Sequence, residues 1–238
     1  MEFKHQIFSH VEEQSTFIGQ FLVQLTQNQE KVYVAVSGGS TPKTLFANLS
    51  DHFSQLIKWD RIYLFWVDER CVPPEDEQSN YGMTKKYLLS NVTIPNSHVF
   101  RIQAELPRYE AVSRYQEAIE NHLPIVKRMP QFDLIILGVG DDGHTASIFP
   151  HQMRLWLSDQ SCDIATHPVS GQKRITLTGS LINRAKTIIV MVNGISKARI
   201  VKKIFNYDDE ALKYPAALID PHKSLWLLDN DSASLLEK

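Results

Sequence analysis

Three short runs in this chain are apolar at nearly every position: Val32–Val36 (VYVAV), Ile62–Val67 (IYLFWV) and Leu134–Leu137 (LIIL). A strand with one face in water alternates polar and apolar residues. Runs like these need cover on both faces, a condition met inside a parallel sheet flanked by helices. The intervening stretches supply those helices. Val11, Phe17, Ile18, Phe21, Leu22 and Leu25 recur at helical spacing over Val11–Thr26, and Tyr115, Ile119 and Leu123 share one face of Tyr109–Leu123. Pro42 stands where a first helical turn tolerates a missing N–H, with PKTLFANL following. A helix is also expected over Tyr81–Leu89. Strands are expected at Arg174–Leu177, Thr187–Val192 and Ser224–Leu228, and helices at Ser180–Ala185 and Ser196–Phe205. Short strands alternating with helices predict an α/β fold with a mainly parallel sheet covered on both sides.

A chain of 238 residues suits one large α/β domain or two small ones. No internal repeat or long Gly/Ser linker divides it, and the acidic segment VPPEDEQSN is too short to separate domains, so a single domain over residues 1–238 is expected. The net charge is −2 with both signs scattered, which leaves no basic stripe for nucleic acid. The only two cysteines, Cys71 and Cys162, lie far apart and read as free thiols of a reducing compartment. The first residues, MEFKHQIFSHVEEQ, lack the apolar core of a secretory signal, and no run approaches the roughly eighteen apolar residues of a membrane span. A cytoplasmic protein, monomeric or a small homo-oligomer, is the expectation.

In open parallel sheets, ligands bind beyond the carboxyl ends of the strands. Three polar segments occupy that position here. In SGGSTP, Gly38 and Gly39 let backbone N–H groups approach a ligand, Ser40 and Thr41 add hydroxyls, and the following helix directs its N-terminal dipole to the same spot, a combination suited to phosphate. It lacks the lysine of a Walker A loop. The same residues also suit an ordinary capped turn between strand and helix. In GVGDDGH, Gly138, Gly140 and Gly143 formally satisfy a dinucleotide fingerprint, but Asp141 and Asp142 would then face a pyrophosphate, and the acid expected about twenty residues on falls in an irregular segment, DQSCD. The catalytic alternative uses Asp142 and His144, a carboxylate that orients an imidazole able to take a proton from water. In the third segment, Asp68-Glu69-Arg70, Arg70 can hold an anion bidentately, though a solvated charge cluster has the same composition. Arg174 at a strand start and Lys197 in GISKA are further candidate anion ligands. His5, His10, His52 and His122 read as ordinary surface histidines. No HExxH, paired CxxC, EF-hand spacing or GxSxG elbow is present, so no metal, no cofactor and no serine triad is expected.

Taken in order, SGGSTP, VDER, LGVGDDGHTASIFP, RITLT with LINRAK, and NGISKA resemble the 6-phosphogluconolactonase family from about Val32 to Leu228. The wider superfamily includes glucosamine-6-phosphate deaminases, which typically continue GHxAFNEP. Phe149 stands here at the glutamate of that pattern, and DER replaces the deaminase DEY, so the resemblance favours the lactonase. It implies a Rossmann-like three-layer αβα sandwich and hydrolysis of 6-phospho-D-glucono-1,5-lactone in the oxidative pentose phosphate pathway. By the same resemblance His144 acts as general base with Asp142 orienting it, and Gly38, Gly39, Ser40, Thr41, Asp68, Arg70, Arg174 and Lys197 bind a sugar-phosphate lactone. A deaminase or a non-catalytic sugar-phosphate-binding module are the competing functions.

Overall fold

A computed structural model describes residues 3–206 and 210–236. In chain order the strands are β1 (Lys4–Phe8), β2 (Val32–Val36), β3 (Ile62–Trp66), β4 (Asp68–Arg70), β5 (Val99–Phe100), β6 (Ile125–Val126), β7 (Met129–Pro130), β8 (Leu134–Gly138), β9 (Cys162–Thr166), β10 (Lys173–Leu177), β11 (Thr187–Val192) and β12 (Ser224–Asp229). The α-helices are α1 (Val11–Asn28), α2 (Ser40–Phe53), α3 (Asn80–Thr84), α4 (Arg108–His122), α5 (Gly179–Ile182) and α6 (Ala198–Asn206). Seven strands form the central sheet in the order β1-β12-β11-β8-β2-β3-β5, and every neighbouring pair is parallel. Its middle is the apolar set that the sequence marks out: Val34, Ala35, Leu134, Ile135, Ile189, Val190 and Trp226 are all buried.

Helix α1 buries Ile18, Gly19 and Leu22 and packs on α2. A Cβ on Gly19 would meet the Phe53 ring at 2.5 Å, so the two helices approach as closely as glycine allows. The steps β1→β2 and β2→β3 run one way across the sheet and β8→β11→β12 the other. Right-handed crossovers therefore put α1 and α2 on one face and α4, α5 and α6 on the opposite face. The result is the expected three-layer α/β sandwich.

Five elements depart from the sequence reading. Asp68-Glu69-Arg70 is a strand rather than a loop, and Arg174–Leu177 leaves the parallel sheet: β4 and β10 pair antiparallel, and β9 completes a separate three-stranded sheet. Strand β9 lies in the region His151–Gly171, for which no element was expected. Strand β1 was also unexpected: its residues KHQIF are mostly exposed, because it is an edge strand held by backbone pairing to β12. The helix expected over Tyr81–Leu89 is α3 followed by a π-helical turn at Lys85–Leu89. No helix among the described residues is long and apolar enough to cross a membrane.

Candidate active site

Between β2 and β8 the strand order reverses direction, and the loops leaving their carboxyl ends part to form a crevice. SGGS leaves β2 and GVGDDGH leaves β8. The β11 loop, which carries Lys197, and the small sheet with β4 and β10 close the sides. A cleft of about 270 Å³ results, and Gly38, Gly39, Ser40, Thr41, Asp68, Arg70, His144, Arg174 and Lys197 all line it. Asp142 lies behind His144. A larger hollow of about 830 Å³ shares Gly39, Ser40 and Arg70 with this cleft but has no histidine. The smaller cleft is therefore the one with a candidate base.

Four glycines at the crevice have a local reason. Gly39 precedes α2 with φ +116°, a left-handed value that glycine adopts without strain. A Cβ on Gly38 would fall 1.8 Å from Asn80 Oδ1. The backbone thereby presents the unbonded amides of the first turn of α2 to the cleft. A Cβ on Gly140 would lie 2.1 Å from the His144 ring, and Gly143 has φ +78° with the Tyr214 ring 2.6 Å from a would-be Cβ. Of the glycines that mimic a dinucleotide fingerprint, Gly140 thus makes room for the imidazole and Gly143 for the Tyr214 ring.

His144 Nδ1 lies 2.5 Å from Asp142 Oδ1, which also accepts the His144 backbone N–H at 3.1 Å. An ionised carboxylate only accepts, so Nδ1 carries a proton, and in the neutral ring the lone pair is then on Nε2. Burial raises the Asp142 pKa, but the hydrogen bonds and charge of His144 outweigh it and hold the carboxyl below its ordinary value. Phe149, fully buried, packs against the imidazole at 4.7 Å between ring centroids, and the Arg174 guanidinium lies over the same ring at 5.6 Å.

The small sheet brings Arg70 and Arg174 into register as direct cross-strand partners. Like charges in that position are destabilising unless something between them is negative. Both Nε atoms are buried without a protein partner. Arg70 Nη1 donates to the Gln78 carbonyl at 2.5 Å and Arg174 Nη1 to Ser147 Oγ at 3.3 Å. Burial lowers the Arg174 pKa, the nearby Asp68 opposes this, and Arg70 adds to the lowering. Lys197 Nζ pairs with Asp141 Oδ1 at 2.6 Å. Among the described residues no group of three His, Cys, Asp or Glu side chains is placed to hold a metal ion.

Four contributors escaped the sequence reading. Glu69, almost wholly buried, accepts from the backbone N–H groups of Arg70, Asn80 and Tyr81 and from Ser79 Oγ. Asn80 donates to the Asp68 carbonyl and carboxylate. Ser147 joins Asp68 to Arg174. Asn193, lining the cleft beyond β11, is the one whose position at a strand end was legible in the sequence.

The family model of glucosamine-6-phosphate isomerases/6-phosphogluconolactonase matches residues 9–227. A 6-phosphogluconolactonase of Treponema pallidum is 40% identical over 222 residues, covering 92% of each chain. One of Homo sapiens is 35% identical over 243 residues, 97% of this chain and 92% of that one. The solved 6-phosphogluconolactonase from Trypanosoma brucei superposes with a TM-score of 0.85 at 27% identity, covering 98% of both chains. The chain belongs to the glucosamine-6-phosphate isomerase/6-phosphogluconolactonase family.

Proposed function

We propose that this protein hydrolyses 6-phospho-D-glucono-1,5-lactone to 6-phosphogluconate, with His144 as general base. One observation carries the reading: an imidazole with its Nδ1 tied to Asp142 shares a cleft with two arginines in cross-strand register whose Nε atoms lack protein partners. The base requires a proton to take, and the arginines require an anion.

The water oxygen attacks C1 of the lactone while His144 Nε2 takes its proton. Asp142 fixes the tautomer and offsets the charge that forms on the ring. The carbonyl becomes an oxyanion, and collapse of the tetrahedral centre breaks the bond from C1 to the ring oxygen. The imidazolium returns its proton to that oxygen, which leaves as a hydroxyl. A lactone carbonyl is reactive enough for a base and nearby positive charge to suffice. Gly38, Gly39, Ser40 and Thr41 with Arg70, Arg174 and Lys197 hold the phosphate and the developing oxyanion, and Asp68 completes that wall. Binding of the phosphate, remote from C1, holds the carbonyl against the base. Phe149 supports this reaction over deamination, because a buried phenyl ring cannot relay a proton.

The test is a coupled assay of acid formation from freshly generated lactones with and without the 6-phosphate. The phosphorylated substrate is expected to have a kcat/KM higher by at least about 100-fold, the scale of two charge-assisted hydrogen bonds. Equal turnover of both lactones contradicts the phosphate role of the cationic wall.

A further inference from the structure

The turn that follows the imidazole carries a second device. Ile148 N–H donates to the Thr145 carbonyl at 2.9 Å, and Ala146 takes φ +50°, a left-handed value that an alanine adopts only under constraint. The strained residue delivers Ser147 to a site with no solvent access. There the Ser147 backbone N–H donates to Thr176 Oγ1 at 3.1 Å, and its hydroxyl lies 2.6 Å from Asp68 Oδ2.

The direction of these bonds follows from the groups. A carboxylate only accepts, so the single hydroxyl proton of Ser147 goes to Asp68, and the hydroxyl lone pairs are left for Arg174 Nη1–H at 3.3 Å. Asn80 Nδ2 takes the other Asp68 oxygen at 3.2 Å, which fixes the carboxylate in turn. On its other side the guanidinium rests over Phe149. Arg174 is therefore held at its head and across its plane, while its buried Nε has no protein partner.

We propose that Ser147 is a positioning residue: its hydroxyl, aligned by Asp68, sets the angle at which the Arg174 guanidinium meets the anionic oxygen of the substrate. Asp68 acts through this relay and not by contact with the substrate. The proposal rests on the reading of Arg174 as an anion-holding group. It explains why a buried acid lies on a wall built for anions: the carboxylate is taken up by two neutral donors, Ser147 and Asn80.

A double-mutant cycle tests it. Steady-state constants are measured for wild type, S147A, R174A and the double variant, with thermal melts as the check on folding. S147A is expected to shift the same constant as R174A, KM if the guanidinium holds the phosphate and kcat if it holds the oxyanion, by roughly tenfold. The double variant is expected to be no worse than R174A, because the hydroxyl has nothing left to position. D68N is expected to move the same constant in the same direction. Independent, multiplying losses from S147A and R174A overturn the relay while leaving Arg174 as an anion ligand. Wild-type constants in S147A overturn it as well, and wild-type constants in R174A overturn the anion reading together with the relay. If S147A loses its cooperative melt, S147C retains a weak donor of similar size, and the same cycle is read with it.

Discussion

A Cβ on Gly140 would lie 2.1 Å from two atoms of the His144 ring and 2.8 Å from Asp142 Oδ1. The backbone there has no left-handed φ, so alanine meets strain only against the imidazole and its carboxylate partner. G140A is therefore expected to displace the imidazole and lower kcat by at least about tenfold while leaving the melting temperature within a few degrees, as measured by steady-state kinetics beside a thermal melt. Asp142 makes a pH prediction. Its folded pKa lies below the ordinary carboxylate value of about 3.9, so its contribution to stability is present above that value and is lost as pH falls through the depressed one. Melts of wild type and D142N from pH 7 to about 2.5 are expected to show a wild-type advantage that closes only in this acid window. An advantage that is constant across the whole range contradicts the assignment. At this scale the sequence was informative where partners are close along the chain. Asp142 and His144 stand two residues apart and could be read together. Ser147 and Asp68 are 79 residues apart, and nothing local to HTAS announces that pair.

The short helix α3 stands on the wall of the larger hollow because Glu69 holds its start. The carboxylate accepts three backbone N–H groups at 2.8 Å and the Ser79 hydroxyl at 3.1 Å, while Ser79 Oγ accepts from Gly82 N–H at 2.9 Å. Burial raises the Glu69 pKa, and those backbone donors work against the rise. E69A strips four buried or half-buried donors of their acceptor and is expected to cost about 3 kcal/mol in chemical denaturation. A loss under about 1 kcal/mol would mean that water replaces the carboxylate there. The elements that sequence reasoning missed share a cause. Strand β4 is three charged residues with no apolar pattern, and only its pairing with β10 makes it a strand. Strand β1 is polar because an edge strand needs a neighbour more than a buried face. Once β4 and β10 are paired, alternation places Asp68 and Arg70 on one face with Arg174 and Thr176, which is why the cationic wall and its relay lie together.

Across the whole molecule, the candidate cleft follows from strand order. The chain lays β2, β3 and β5 outward to one side and β8, β11 and β12 to the other, so the loops after β2 and β8 separate at the sheet centre and leave room for a ligand. The buried parallel strands were legible because a strand covered on both faces must be apolar throughout. The convergence of SGGSTP, DER and GVGDDGH at one edge was expected from their place after strand ends; DER reaches the cleft as strand β4 and not as a loop, and Lys197, a separate candidate anion ligand, joins them there. The side walls were not legible, since they depend on a second sheet whose antiparallel pairing is set by contacts between residues about a hundred positions apart, such as Arg70 with Arg174. The account as a whole depends on a proton passing from water to one imidazole nitrogen in that central crevice. Turnover of fresh 6-phospho-D-glucono-1,5-lactone by H144A, corrected for spontaneous hydrolysis, is its most direct test. A fall in kcat of roughly 10²–10⁴ with little change in KM is the predicted result, and turnover close to wild type contradicts it.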